Sequence, residues 1–296
     1  MTGHFFMPSE LRRPQEIRTG LDMTTTVTVK NLTFQQGTTR ICVPLMGQTL
    51  DELKARARAL VEVDADIIEW RADGFAQVGK SEQVLLALAE VRQILADTPL
   101  LFTFRSQKEG GEAQLDEADY FALNRQVALS GLVEVIDIEL FNDETQIRAL
   151  IDDAHAAGVK TIVSNHDFQK TPPEEEIIRR LCRMQELGAD LPKIAVMPQS
   201  PQDVLTLLSA TLAMKEKHAT GPIVTMSMGK MGGISRVTGR LFGSAMTFGS
   251  AGQASAPGQI AIRQLRENDR YPLLNSPAAA IRGRVTGGLD IFHFAG

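Results

Sequence analysis

Residues 161–197 read TIVSNHDFQKTPPEEEIIRRLCRMQELGADLPKIAVM, and this stretch contains one complete unit of the fold. Two short apolar runs, Thr161–Ser164 and Ile194–Met197, enclose the segment Glu174–Leu187, whose apolar residues recur every three or four positions. Gly188 directly follows that segment, as glycine often does at the end of a helix. The stretch therefore predicts a strand, a helix and a second strand parallel to the first.

The same alternation recurs along the chain. The predicted strands are Ile41–Leu45, Ile67–Trp70, Leu100–Phe104, Val133–Ile138, Thr161–Ser164, Ile194–Met197, Ile223–Met226 and Ala245–Phe248. The helical stretches that follow them are Leu50–Val63, Glu82–Leu95, Glu117–Ser130, Glu144–Ala157, Glu174–Leu187, Gln202–His218, Ser235–Phe242 and Gln259–Leu265. Eight nearly continuous apolar strands alternating with helices predict an α/β protein folded as a (β/α)8 TIM barrel. An open doubly wound sheet is the alternative, but its usual Gly-rich turn is replaced by Met46-Gly47-Gln48-Thr49.

The two ends of the chain depart from this repeat. Alternating stretches at Thr26–Val29 and Asn31–Phe34 predict an N-terminal β-hairpin. We expect residues 1–22 to be a disordered extension and residues 23–267 to form the barrel. Residues 268–296 form an atypical tail rich in Pro, Gly and Arg.

Composition narrows the class of protein. The 296 residues are 43% hydrophobic and 23% charged, with a net charge of −5 that argues against nucleic acid as a partner. No apolar run reaches the ~18 residues of a membrane span, and the N-terminus lacks a secretory signal. Cys42 and Cys182 give neither a disulfide framework nor a metal spacing. We therefore expect a cytoplasmic protein with no membrane partner and no metal ion.

A lysine and a histidine occupy unexpected positions beside two predicted strands. Lys193 directly precedes the run Ile194–Met197, and lysine is almost never buried without a partner. Its ammonium could extend from the bottom of the strand to water. Alternatively, burial and nearby cations such as Arg71, Arg105 or Arg236 could lower its pKa so that the amine attacks a ketone. His166 lies just past a strand, on the side where barrels place catalytic residues. A lone loop histidine is more often inert, but a histidine in this position could transfer protons.

Side-chain alternation places ionisable residues on the inward faces of several strands, towards their C-terminal ends. The predicted inward sets are Ile67, Glu69 and Arg71; Leu101, Thr103 and Arg105; Val133, Val135, Asp137 and Glu139; Ile162, Ser164 and His166; Lys193, Ala195 and Met197; and Ile223, Thr225 and Ser227. A core that served only packing would have no reason to become ionisable on so many strands. The pattern therefore predicts a functional site at this end of the barrel.

Three loops at the same end carry further candidates. In the charged loop 105–112, Arg105 could hold substrate and Glu109 could orient His166, or the loop could simply be solvated. Arg236 follows the seventh strand, and the Gly/Pro segment 254–259 follows the eighth. Together these last two loops could bind an anion, either a carboxylate or a phosphate.

Taken together, these residues resemble the type I 3-dehydroquinate dehydratases of the shikimate pathway. The matching motifs are Glu69-Trp70-Arg71-Ala72-Asp73, Phe102-Thr103-Phe104-Arg105 with Glu109-Gly110-Gly111-Glu112, Ser164-Asn165-His166-Asp167-Phe168, Pro192-Lys193-Ile194-Ala195-Val196-Met197-Pro198, Ser235-Arg236 and Ser255-Ala256-Pro257-Gly258-Gln259. They run in order from about Met23 to Leu265 and so cover most of the chain.

The resemblance implies a lyase of aromatic amino acid biosynthesis that dehydrates 3-dehydroquinate to 3-dehydroshikimate. It implies a homodimer of barrels that uses no metal and no other cofactor. Lys193 would form a Schiff base with the substrate ketone, His166 would be the general acid and base, and Glu109 would position His166. The residues implied in substrate binding are Glu69, Arg71, Arg105, Arg236, Ser255 and Gln259.

Two other interpretations fit parts of the pattern. A class I aldolase is also a lysine-imine barrel, and it would use the loops after the last two strands for the phosphate of a sugar. A non-catalytic barrel that binds an anionic metabolite would retain Arg236 and tolerate loss of Lys193 and His166. The presence of both residues favours an enzyme.

Overall fold

The computed structural model describes residues 25–252 and 256–269. An N-terminal hairpin, β1 (Val27–Val29) and β2 (Leu32–Phe34), precedes the repeating part of the chain. The strands that follow are β3 (Arg40–Leu45), β4 (Ile67–Arg71), β5 (Leu100–Thr103), β6 (Val135–Glu139), β7 (Lys160–Asp167), β8 (Leu191–Val196), β9 (Val224–Ser227), β10 (Met246–Ser250) and the short β11 (Ile260–Ala261). The helices are α1 (Leu50–Val61), α2 (Ser81–Leu95), α3 (Glu117–Leu129), α4 (Glu144–Ala156), α5 (Glu174–Leu187), α6 (Pro201–Ala213), α7 (Gly233–Phe242) and α8 (Ile262–Asp269).

The strands from β3 to β10 form one parallel barrel. Each of β3 to β8 pairs with the next strand in the chain, and β10 pairs back onto β3. The last seam, between β9 and β10, is closed by a parallel bridge between Ile223 and Ser244, where the Ala245 amide donates to the Ile223 carbonyl at 2.8 Å. The predicted (β/α)8 barrel is confirmed. No helix within the two described ranges is both long enough and apolar enough to cross a bilayer.

The hairpin closes the N-terminal end of the barrel. Its strands pair antiparallel, with Val27 opposite Phe34, and this confirms the predicted hairpin. Its buried side chains pack against the apolar interior residues of the barrel, including Ile67 and Leu101. Because one end is filled in this way, polar residues have room only at the opposite end.

Local sequence signals fix the ends of the helices. Four helices begin at a residue whose side chain accepts a backbone N–H of the first turn: Thr49, Asp116, Asp143 and Ser200. Gly188 ends α5 at a φ of 105°, in the left-handed region that favours glycine. A π-helical turn, Met214–His218, follows α6 and lies within the helix predicted at 202–218.

Four of the predicted inward side chains, Val133 and the whole set at positions 223, 225 and 227, face the other way. Ile223 and Val133 belong to the core between the strands and the helices, whereas Val224 and Met226 face the barrel interior. On β9 the outward Thr225 hydroxyl lies 2.7 Å from the Thr211 hydroxyl of α6. The predicted phase of β9 was therefore wrong, because its outward Thr225 is satisfied by a helix partner that no local pattern reveals.

Most residues of the predicted N-terminal extension and C-terminal tail lie outside the part of the chain that the structure describes. The extension at residues 1–22 and the tail from residue 270 onwards lie outside the described residues. Asn268 and Asp269, the first two residues of the predicted tail, instead complete α8.

We expect the core between α2 and the sheet to contribute strongly to stability. Leu88 is fully buried and Leu86, on the same helix, is 59% exposed. Leu88→Ala should lower the free energy of unfolding by about 2–5 kcal/mol, because it removes buried methyl groups and leaves a cavity. Urea unfolding monitored by the single tryptophan, the buried Trp70, would measure the change. The control, Leu86→Ala, should change it by no more than about 0.5 kcal/mol, and equal losses in the two variants would contradict this account.

Candidate active site

Lys193 lies inside the barrel and not at its edge. It is the third residue of β8, opposite Ser164 of β7, and only 3% of it is exposed. Its Nζ lies 3.2 Å from Asp137 Oδ2, 4.0 Å from Glu69 Oε1 and 4.4 Å from the centre of the Phe248 ring. The idea that its ammonium reaches water is therefore wrong. The nearest charges are carboxylates and not the arginines that the sequence suggested.

The neighbours of Lys193 along β8 explain how the barrel accommodates it. Leu191 and Ala195 share its inward face and belong to the interior core. Leu191 fills the barrel below, and the small Ala195 leaves space above for a long side chain. A buried ammonium is stable only beside opposite charge, which Asp137 and Glu69 provide from other strands.

Arg105 holds together a group of buried acids beside the lysine. Its guanidinium donates to Asp137 Oδ1 at 2.8 Å and to Glu139 Oε1 at 2.9 Å, and it lies 3.4 Å from Glu109 Oε2. Burial alone would raise the pKa of Asp137, but Arg105 and then Lys193 overcome that penalty and hold this pKa below its usual value. Asp137 therefore remains a carboxylate beside Lys193.

Glu109 reaches the site because its loop turns back on itself. Gly110 follows it at a φ of 85°, and a Cβ at Gly110 would lie 2.4 Å from the Phe168 ring. A Cβ at Gly111 would lie 1.8 Å from the Arg105 carbonyl oxygen. Only glycine fits at these two positions, so the pair of glycines allows the loop to bring Glu109 against β7.

Glu109 and His166 form a hydrogen-bonded pair. Glu109 Oε2 lies 3.0 Å from both the backbone nitrogen and Nδ1 of His166. Burial raises the pKa of Glu109 to about 8, even though Arg105 opposes the shift. Burial, followed by the positive charges of Arg105 and Lys193, lowers the pKa of His166 well below its usual value. His166 is therefore neutral, and Nε2 is the ring nitrogen that Glu109 leaves to other partners. His166 is also part of β7, whereas the sequence placed it just past the strand.

Arg71 is fixed at the edge of the site. Its guanidinium donates to both oxygens of Asp73, at 2.7 and 2.8 Å. Asp73 also accepts the backbone N–H of Glu112 at 3.0 Å and so ties Arg71 to the loop that carries Glu109. A bidentate pair of this kind fixes the orientation of the arginine.

Arg236 is a buried cation that has no carboxylate partner among the described residues. Only 3% of it is exposed, and its hydrogen bonds there go to the carbonyl oxygens of Phe248 and Pro257, both at 3.3 Å, and to Met226 Sδ at 3.7 Å. Its Nε has no partner, and no ion pair within the described residues includes it. Burial lowers its pKa to about 10. An anionic ligand would supply the missing countercharge.

Two cavities meet at Glu109, His166 and Phe168. The smaller, of about 40 Å³, lies inside the barrel and contains every described residue that the sequence placed in the site: Glu69, Arg71, Arg105, Glu109, His166, Lys193, Arg236 and Gln259. The larger, of about 710 Å³, lies on the other side of β7 and includes Phe141 and Arg180. Ser255 lies outside the described residues. Within 25–252 and 256–269, no group of three or more His, Cys, Asp or Glu side chains is arranged to hold a metal ion.

Sequence reasoning missed several residues of the smaller cavity. Its apolar wall is formed by Phe168, Ala195, Met226, Met228, Phe248 and Ala256. No polar signal marks these positions, and the wrong phase for β9 turned Met226 away from the site. Asp137, Glu139 and Ser164 were placed on the inward face but given no role, because only the structure shows that they meet Arg105.

The fold and the site define a class of protein, an α/β barrel with a buried group of ionisable residues at the C-terminal ends of its strands. A family model described as type I 3-dehydroquinase matches residues 41–271. The 3-dehydroquinate dehydratase of Klebsiella pneumoniae subsp. pneumoniae is 74% identical over 245 residues, which are 83% of this chain and 98% of that protein. The enzyme of the same name from Bacillus licheniformis is 57% identical over 81% of this chain and 95% of its own length.

Solved structures agree with the sequence comparison. The crystal structure of type I 3-dehydroquinate dehydratase from Clostridium difficile with covalently modified comenic acid has a TM-score of 0.80 and 50% identity; it covers 83% of this chain and 96% of its own. The chain therefore belongs to the type I 3-dehydroquinase family, and it is an enzyme. This sets aside the aldolase and the non-catalytic barrel.

The raised pKa of Glu109 predicts how stability changes with pH. An unfolded glutamate ionises near pH 4.3, whereas Glu109 in the folded protein ionises at about 8. Between these values the folded state binds more protons than the unfolded state, so stability falls as pH rises. Glu109→Gln removes this titration, and its Tm should therefore rise relative to that of the parent between pH 5 and pH 8. Thermal unfolding across that range is the measurement.

The control for this prediction is Glu112→Gln, which changes an exposed residue of the same loop. Its Tm difference from the parent should be constant across the range. A Glu109→Gln difference that is equally constant would show that Glu109 ionises normally in the folded protein.

Proposed function

We propose that the protein dehydrates 3-dehydroquinate to 3-dehydroshikimate through a Schiff base on Lys193, with His166 as the general acid and base. One observation carries this proposal: a buried lysine shares a cavity with a neutral histidine and with an arginine that has no carboxylate partner in the part of the chain that the structure describes. The names of the relatives supply the substrate and the reaction. The covalently modified comenic acid reported for the C. difficile enzyme supports covalent chemistry in this family.

The reaction begins at the lysine. The ammonium of Lys193 gives up a proton to His166, and Nζ then adds to the ketone carbon of the substrate to form a carbinolamine. His166 returns that proton to the carbinolamine hydroxyl, which leaves as water and gives a protonated imine. Asp137, held ionised by Arg105, lies 3.2 Å from this nitrogen and stabilises its positive charge.

The elimination requires one acid–base group. The protonated imine withdraws electrons from the adjacent carbon, whose proton passes to His166 Nε2 to give an enamine. The electron pair of the enamine then expels the hydroxyl group, which takes a proton from His166 and leaves as water. Hydrolysis of the conjugated imine releases 3-dehydroshikimate and regenerates Lys193.

The remaining charged residues divide between binding and support. We assign the substrate carboxylate to Arg236, together with Gln259 and Ser255, because Arg236 is the buried cation that needs a countercharge. Glu69 and Arg71 line the same cavity and suit the ring hydroxyls.

Arg105 has a different role in this proposal from the one that the resemblance implied. Its guanidinium already bonds to Asp137, Glu139 and Ser164. It is therefore better placed to keep the acids in position than to grip a hydroxyl. A cytoplasmic homodimer of barrels, each formed by residues 23–267, remains an expectation from the sequence and from the resemblance.

Replacement of the lysine should abolish the reaction. Lys193→Ala removes the only amine of the proposed imine, so turnover should fall by at least about a thousandfold. The assay is the absorbance of the conjugated product. Lys170→Ala, an exposed lysine just beyond β7, is the control and should retain parental turnover. Substantial turnover by Lys193→Ala would remove the imine from the mechanism.

Replacement of the histidine should separate imine formation from elimination. His166→Ala retains the amine, so borohydride should still trap substrate on the protein. Product formation should fall by about a hundredfold or more, because the group that moves the proton is missing. Intact-mass analysis and the absorbance assay, run on the same samples, give both quantities. Parental turnover by His166→Ala would show that another group transfers the proton.

A further inference from the structure

Asn165 bridges the active site and the outer helices. It follows Ser164 on β7 and shares the outward face of Val163, which belongs to the core between the strands and the helices. Asn165 is 2% exposed, and its Nδ2 donates to Glu109 Oε1 at 3.0 Å. Its Oδ1 accepts from Arg180 of α5 at 2.8 Å. One buried amide thus joins the carboxylate that contacts His166 to a cation outside the barrel.

Arg180 is itself held in place. Its Nε donates to Glu176 Oε1 at 2.7 Å, and its guanidinium lies 5.3 Å from the centre of the Phe141 ring. These two contacts engage Nε and one face of the guanidinium, and they orient it towards Asn165.

The chemistry of the donors fixes the direction of the hydrogen bonds from Arg180 to Asn165 and from Asn165 to Glu109. A guanidinium can only donate, so the oxygen of the Asn165 amide must face Arg180. The amide nitrogen then faces Glu109, and Oε1 of Glu109 must accept. Oε2 accepts the backbone N–H of His166. With both oxygens engaged as acceptors, Glu109 is favoured as a carboxylate, and it therefore favours a proton on Nδ1 of His166.

We propose that Asn165 and Arg180 are positioning residues that favour the ionised form of Glu109 and hold it in orientation, so that His166 presents an unprotonated Nε2 to the substrate. The proposal rests on the role of His166 in the proposed function and deepens it. The two residues touch neither substrate nor reacting atoms, and they act through Glu109.

The surroundings of Glu109 show why such support is needed. Burial and nearby negative charge favour its protonated form, whereas Arg105 and the Asn165 amide oppose that effect. The charged or titratable groups that face it are Arg105 after β5, Asp137 and Glu139 of β6, and His166 of β7. Arg105 is shared among three acids, with Glu109 the most distant at 3.4 Å. The Asn165 amide is therefore a side-chain donor that Glu109 does not share with the other acids.

Asn165→Asp is the most direct test, because it preserves shape and still gives Arg180 an acceptor. It replaces the N–H that faces Glu109 with a carboxylate oxygen, so Glu109 should remain protonated to higher pH. We expect kcat at pH 7 to fall by about tenfold or more. In the profile of kcat against pH, the rise on the acidic side should shift to higher pH by about one unit or more, so activity recovers in alkaline buffer. KM and the trapping of substrate by borohydride should be nearly unchanged.

A second set of variants tests the outer half of the chain of hydrogen bonds. Arg180→Met frees the Asn165 amide to rotate and should also shift the acidic side of the kcat–pH profile to higher pH. Arg180→Lys retains a side chain that can only donate hydrogen bonds, so its profile should match that of the parent. Arg179→Met is the matched control: it removes the neighbouring arginine of α5, which also pairs with Glu176 and whose side chain is 70% exposed. It should leave the profile unchanged.

Two results would overturn the proposal. One is an Asn165→Asp profile that superimposes on that of the parent. The other is a uniform loss of kcat at every pH with a lower Tm, which would show a structural role only. His166→Ala, assayed alongside, distinguishes failure of the positioning role from failure of the proposed function. If His166→Ala is inactive, only the positioning role has failed; if it turns over normally, the acid–base assignment itself is wrong.

Discussion

The guanidinium of Arg105 is the interaction on which the rest of the site depends. Glu109, Asp137 and Glu139 are all nearly or fully buried and lie within 3.4 Å of that one cation. Three carboxylates could not be buried side by side without it, because each would face both the loss of water and the repulsion of the others. Loss of one partner from such a group leaves buried charge uncompensated, which is strongly destabilising.

Unequal distances within this group give the acids different properties. Asp137 is 2.8 Å from Arg105 and 3.2 Å from Lys193, and its pKa is held low. Glu109 is 3.4 Å from Arg105, and burial raises its pKa to about 8. The pKa values of two carboxylates in one site are thus set apart: Asp137 stays an anion beside the Lys193 amine, and Glu109 can respond to the proton on His166. Sites that combine acid and base chemistry near neutral pH commonly separate their carboxylates in this way.

Much of this arrangement could be predicted from the sequence. Alternating strands and helices gave the barrel, and the period of two within each strand placed Glu69, Arg105 and His166 at one end of it. The same reasoning failed on β9, whose short mixed run has no clear alternation and whose outward Thr225 is satisfied by Thr211. It also failed for the surroundings of Lys193, because strands distant in sequence supply the partners of that lysine.

Contacts that depend on a single loop conformation were equally out of reach of sequence patterns. The chain Arg180–Asn165–Glu109–His166 joins α5, β7 and the loop after β5. No spacing within any one element predicts that these residues meet. The resemblance to a family could name the residues, but only the geometry shows which atoms they present to one another.

In the proposed function, Lys193 forms a covalent imine with 3-dehydroquinate inside this charge group. The most direct measurement is intact-mass analysis of the parent protein mixed with 3-dehydroquinate and borohydride, followed by peptide mapping. The account predicts one reduced adduct per chain, on the peptide that contains Lys193. No adduct in a folded and active protein, or an adduct on a different lysine, would contradict it.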